Sequence, residues 1–265
     1  MLEVRLSSDK TRGYRVAFVR EPTGRDEMLL DGHGPAAATA LLDRLLVDAP
    51  GAAVGSGHAW DLPLFERDRL VAAVHARCFG DRIDCSLKCT SCAATFDANF
   101  SLAELLEHVM PSASKGAEGP DENGYYTASD GTRFRLPTAS DERAVSFLPA
   151  EEGAAELLRR CTEARSPSTS DESIQSLMEV LGPVLDVELP LSCGACGKSQ
   201  KARFDVVSFF TEALRRERAL LAREIHSLAA AYHWSLDDIL RLPRSARRNQ
   251  VALVEAARSP QRGRR

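Results

Sequence analysis

The chain has 265 residues, 44% of them hydrophobic and 27% charged, with a formal net charge of -4. Such a length can bury the core of one or two domains, and the mild acidity removes any general attraction to nucleic acid or to an anionic membrane. No run of about 18 apolar residues is present, and residues 1–6 lack the apolar core of a secretory signal, so the sequence reads as cytoplasmic with no membrane partner.

Residues 14–19 alternate polar and apolar side chains, the pattern of a half-buried strand. A turn at 22–24 and an apolar run at 27–30 suggest the returning strand of a hairpin. Residues 36–47 read as a helix with Leu41, Leu42, Leu45 and Leu46 on one face. Small residues over 49–57 suggest a loop. A second helix over 63–78 carries Leu64, Leu70, Val71 and Val74, and Gly80 suits its C-terminal cap. Residues 111–123 are rich in Pro, Ser, Gly and acids and read as a loop. Residues 125–136 form a candidate hairpin in which Asp130-Gly131 suits a primed turn. Helices are expected over 151–161 and 171–181. The spacing of Phe209, Phe210, Leu214, Leu221, Ile225 and Leu228 predicts one long helix over 206–232. Ser235 with Asp238 restates a helix start, the short helix ends near Pro243, and another spans 245–257. The last residues, 259–265, are a basic tail expected to be disordered.

The chemistry lies in the cysteines. There are seven, an odd number that argues against a disulfide framework. Four form two Cys-x-x-Cys pairs, Cys89/Cys92 and Cys193/Cys196, each between two apolar-alternating stretches that close on Phe-Asp. A knuckle of this kind turns two thiolates toward one ion, and two knuckles complete a tetrahedral site, here for Zn2+. Residues 93–192 separate the pairs, whereas a four-cysteine ribbon usually has a gap of ~15–20 residues, so a subdomain must leave after the first knuckle and return before the second. The competing readings are weaker. A thioredoxin-type pair opens a helix, and a catalytic zinc keeps an open position that four thiolates deny it. Cys78, Cys85 and Cys161 are expected as small buried hydrophobes. His226 and His233 have no ligand-spaced companions, and no phosphate loop, metalloprotease motif or nucleophile elbow is present. The residues therefore suggest a structural zinc site and no catalysis.

Three segments resemble the zinc-ribbon baseplate proteins of contractile phage tails and phage-tail-like injection systems. These are Leu64-Phe-Glu-Arg67-Asp68-Arg69-Leu70 with Phe79-Gly80-Asp81, then Phe134-Arg-Leu-Pro137-Thr138, then Phe204-Asp205 through Phe210 and Glu224 to Ser235. Thr211 departs from the resemblance, which implies an aromatic residue there. The resemblance implies a non-enzymatic baseplate or hub subunit, or an assembly factor, with other baseplate subunits as partners. A zinc-ribbon nucleic-acid or transcription module is the alternative, although such modules show basic, aromatic-rich faces. The expected fold is α+β. It has an N-terminal α/β segment (1–82), a split ribbon (83–100 and 187–206), an inserted subdomain (101–186) and C-terminal helices (207–258) whose broad apolar face either binds a partner or is covered in part by the helices after Ser235.

Overall fold

The computed structural model describes residues 1–9, 13–109 and 116–258. Helices and four small sheets combine in an α+β fold. Strands β1 (Leu2–Asp9) and β2 (Gly13–Val19) form an antiparallel hairpin with Leu2 opposite Val19. The partner of the 14–19 strand is therefore the N-terminal segment and not 27–30. The chain instead enters helix α1 (Gly24–Met28), because Thr23 and Asp26 form a capping box that satisfies two backbone N–H groups. Helix α2 (Pro35–Leu45) follows and buries Leu41, Leu42 and Leu45. Strand β3 (Ala52–Val54) then adds parallel to β2, inside the stretch expected as a loop. After a single 3-10 turn (Ala59–Asp61), helix α3 (Leu64–Phe79) ends at Gly80, whose φ of 92° favours glycine. The first knuckle hairpin is β4 (Arg82–Lys88) and β5 (Thr95–Ser101), and helix α4 (Leu102–Val109) completes this half.

Strands β6 (Ala117–Glu118), β7 (Tyr125–Ala128) and β8 (Arg133–Arg135) open the second half. Strand β6 lies within the expected 111–123 loop, of which 111–115 fall outside the described residues. The β7–β8 hairpin is present, but Gly131 has a positive φ and Asp130 does not. The N–H of Gly131 donates to Ala128 and that of Ala128 to Thr132, which is a three-residue loop with glycine in the left-handed position and not a primed turn. Helices α5 (Ala139–Val145) and α6 (Ala150–Cys161), strand β9 (Thr162–Ala164) and helix α7 (Asp171–Leu181) lead to the second knuckle hairpin. That hairpin is β10 (Asp186–Ser192) and β11 (Ser199–Asp205), followed by helix α8 (Val206–Arg216).

The two halves share one order of elements: hairpin, capped short helix, longer helix, strand, helix, knuckle hairpin, helix. Local details repeat with it. The N–H of Leu102 donates to Asp81 and that of Val206 to Leu185, both at 3.0 Å, closing each knuckle hairpin onto the helix that follows. Phe100 and Phe204 occupy equivalent strand positions and meet edge to face at 4.9 Å. Residues 101–186, expected as an insertion, thus hold α4 of the first set and most of a second set. Their small core of Phe134, Leu136, Leu158, Ile174 and Leu181 also takes in Phe65 from α3.

The expected long helix over 206–232 is two helices, α8 and α9 (Arg218–Tyr232), separated at Glu217. Helices α10 (Leu236–Arg241), capped by Ser235, and α11 (Arg244–Arg258) fold back over α9. The broad apolar face is covered within the chain. Phe210 and Leu214 lie in the central core beside α2 and α3, while Leu228 packs with Ile239 and Val254. Of that face, Leu220 stays exposed. The basic tail, 259–265, lies outside the described residues. Among those described, no helix is long and apolar enough to cross a membrane.

Candidate metal centre

Each knuckle is built by the same backbone device. The N–H of Cys89 donates to Ala94 at 2.9 Å and that of Cys193 to Lys198 at 3.0 Å. The N–H of Ala93 returns to Cys89 and that of Gly197 to Cys193. Such a tight loop needs a left-handed residue just after the second cysteine. Ala93 and Gly197 supply it, with φ of 59° and 71°.

The two knuckles face each other, and the sulfurs of Cys89, Cys92, Cys193 and Cys196 all lie within 4.8 Å of one another. This is the one group of metal-ligating side chains found among the described residues. Two approaches run across the knuckles: Cys89 to Cys196 at 3.7 Å and Cys92 to Cys193 at 3.8 Å. Exchanging the knuckles turns one contact into the other. Cys89 and Cys193 are buried, Cys92 and Cys196 exposed. Leu87, Phe96 and Leu191 pack against the buried pair, which limits the approach of water from below.

The electrostatics favour deprotonation at one edge. Backbone N–H groups of Cys92 and Ser91 point at the Cys89 sulfur and hold its thiol down to about 6. Cys92 moves the other way, up to about 11: the N–H of Ala94 favours its thiolate, but the sulfurs of Cys196 and Cys89 outweigh that. Four thiolates this close repel one another strongly, and a bound cation relieves the repulsion.

The strand register corrects one element of the sequence pattern. Leu87 pairs with Phe96 in the first hairpin, while Leu191 pairs with Gln200 in the second. The two Phe-Asp dipeptides therefore do not correspond; Phe100 matches Phe204, and Gln200 stands where the first hairpin has Phe96. Gln200 has its own task, which the sequence reading did not identify. Its carboxamide oxygen accepts the N–H of Thr90 at 3.0 Å, and its nitrogen donates to the carbonyl of Lys88 at 3.3 Å. The second hairpin thereby grips the turn of the first. The signal available beforehand was a lone amide at an apolar-alternating strand position.

The remaining cysteines stand apart from the cluster; Cys161 is buried as expected, whereas Cys78 and Cys85 are only half-buried. Burial pushes the Cys78 thiol up to about 12 and Cys161 up to about 11, and Cys85 is raised by burial with Asp84 and Asp97 nearby. None is a ready thiolate. No family model, curated protein or solved structure matches the chain.

Proposed function

We propose that the four cysteines hold one zinc ion in a closed structural centre, and that the chain is a non-catalytic subunit or assembly factor of a contractile phage-tail-like baseplate. The observation that carries the metal assignment is the pair of cross-knuckle separations, 3.7 and 3.8 Å. A tetrahedron with zinc–sulfur bonds of about 2.3 Å has sulfur–sulfur edges of about 3.8 Å. Four thiolates complete the coordination shell and leave no position for substrate. The ion ties together hairpins that are remote in sequence, so its binding energy contributes directly to folding, on the order of 10 kcal/mol in small zinc domains.

Support for the baseplate role is the resemblance of residues spread over 60–255, which includes the buried charges of α3. Arg67 hydrogen-bonds Asp68 and Glu142, and Asp68 accepts the N–H of Leu185 at 2.9 Å. These contacts fix the chain where it returns to the second knuckle.

Metal analysis should find one zinc per wild-type chain and a marked loss in Cys193→Ser, and chelation should lower the melting temperature. Zinc-free wild-type protein, or an unchanged melting curve after chelation, ends the structural-zinc reading. The baseplate role is tested separately by deleting the chain from cells that assemble sheathed particles. Normal particles in its absence end that reading.

A further inference from the structure

An eight-residue pattern occurs twice. Arg20-x-Pro22-Thr23-x-x-Asp26-Glu27 precedes and forms α1, and Arg135-x-Pro137-Thr138-x-x-Asp141-Glu142 precedes and forms α5. In both, Thr and Asp make a capping box and the arginine grips the aspartate with both nitrogens. Each copy also receives the start of a helix from a distant part of the chain. At the second copy the guest is α3. The N–H of Leu64 donates to Pro137 at 3.0 Å, the N–H of Ala139 donates to Leu62 at 3.1 Å, and Arg67 pairs with Glu142. At the first copy the guest is α11. The N–H of Arg244 donates to Pro22 at 2.9 Å, the N–H of Gly24 donates to Leu242 at 3.4 Å, and Arg247 pairs with Glu27 at 2.8 Å. Both guests read Leu-Pro-x-x-x-Arg. The proline fixes φ for a helix start and leaves its neighbours to bridge to the host. The arginine, one turn on, reaches the host's glutamate in a charge-assisted bond. Two sockets in one molecule thus recognise one kind of helix start.

The sockets differ in where the guest comes from. The second is filled by α3, a helix of the first half. The matching helix of the second half, α7, opens with Ser170-Asp171 and lacks the pattern. The first socket is filled instead by α10 and α11, which follow the end of the repeat. With α9 these helices share a small core around Leu228, Ile239 and Val254, separate from the central one. Polar contacts link them to the rest: Arg25 pairs with Asp237, Glu27 with Arg244 and Arg247, and Glu21 accepts the N–H and hydroxyl of Ser245 at 2.6 and 2.8 Å, while Leu240 packs over Gly24.

We propose that the first socket is a docking site for a helix that begins Leu-Pro-x-x-x-Arg, with α10–α11 as a displaceable plug. The partner it fits is a second copy of this chain, which offers the same segment. The socket already pairs helix with host between halves of the molecule, and a second copy's α10–α11 brings the same Ile239 and Val254 to cover Leu228 of α9 when the chain's own plug leaves. The inference does not depend on the metal assignment, and its test uses no metal readout.

A protease site introduced at 233–234 of the full chain allows the plug to be cut free. A labelled peptide of residues 235–258 should then bind the cut chain by replacing the severed plug, and should not bind the uncut chain. Glu27→Gln should weaken that binding at least tenfold, while Glu142→Gln, in the other socket, leaves it unchanged. Equal affinity for Glu27→Gln would mean that α9 alone holds the segment, and the proposal falls; absence of peptide binding to the cut chain overturns it too. If Glu27→Gln loses its native circular dichroism, Glu21→Gln replaces it with the same two outcomes. Mixing cut and uncut chains should give a one-to-one complex as the uncut plug docks in trans. If peptide binds but no such complex forms, a second copy is the wrong partner.

Discussion

Thr211 has no exposed surface, and its hydroxyl accepts the N–H of Gly34 at 3.0 Å while donating to Val207. Gly34 is the N-cap of α2 and carries no side chain of its own to satisfy that end. The hydroxyl of α8 therefore serves a helix remote in sequence, which an aromatic residue could not do. Thr211→Val keeps the shape and strands a buried N–H; it should cost about 1–3 kcal/mol in urea unfolding. A second residue carries backbone strain. Ala93 holds the left-handed position that Gly197 fills in the other knuckle, and a non-glycine residue there costs roughly 1 kcal/mol. Ala93→Gly should raise the unfolding midpoint by a corresponding amount at unchanged zinc content; a lowered midpoint would refute the strain argument.

At the scale of elements, much of the molecule was legible. The α7 bounds, the β7–β8 hairpin, the Ser235 cap and both knuckle hairpins follow from apolar spacing and turn residues. The misreadings have physical causes. Met28-Leu29-Leu30 looks like strand, yet Thr23 and Asp26 had already spelled a capping box. The break at Glu217 has no local signal, since neither Gly nor Pro stands there. A tertiary pairing meets the chain there, the Glu217 carboxylate contacting Arg244 and Arg248 of α11. The duplicated socket pattern is plain once the chain is compared with itself, but each copy alone resembles an ordinary cap. The four cysteines were readable from spacing alone, whereas Gln200 was not, because its partners are backbone groups of another hairpin. Gln200→Ala should leave one zinc per chain but speed its loss to a competing chelator severalfold, the range seen when outer supports of metal ligands are removed being about 10–100 in affinity. Unchanged release kinetics would reduce Gln200 to a surface residue.

For the whole molecule, stability against acid should follow its charged caps. Burial opposes ionisation of Asp26 and Asp141, but the hydrogen bonds from Arg20 and Arg135 and from the capping threonines overcome it, so both carboxyls titrate below their usual range. A carboxylate depressed in this way contributes stability that is fully present above its unfolded value of about 4 and is lost as pH falls through the lower native value. The difference in unfolding free energy between wild type and Asp141→Asn should therefore hold between pH 7 and 5 and shrink as pH falls from 5 toward 2. A difference that stays unchanged down to pH 2 would contradict the depressed pKa. Asp68 and Glu142, raised by burial, act in the opposite sense and contribute equally to both proteins.

The separation of the two knuckles also sets an order of events during synthesis. Cys89 and Cys92 emerge from the ribosome with half of a ligand set, and Cys193 and Cys196 follow roughly 100 residues later, about 5–20 s at ordinary rates of translation. For that interval the first half can close its β1–β2 sheet and lay down α2 and α3, but its knuckle has two thiolates and no counterpart. Under the proposed assignment, an ion held then by two sulfurs would be bound weakly and would exchange with the cell's metal supply. On the zinc assignment proposed above, the commitment to one metal, and with it the locking of the fold, waits for the last third of the chain.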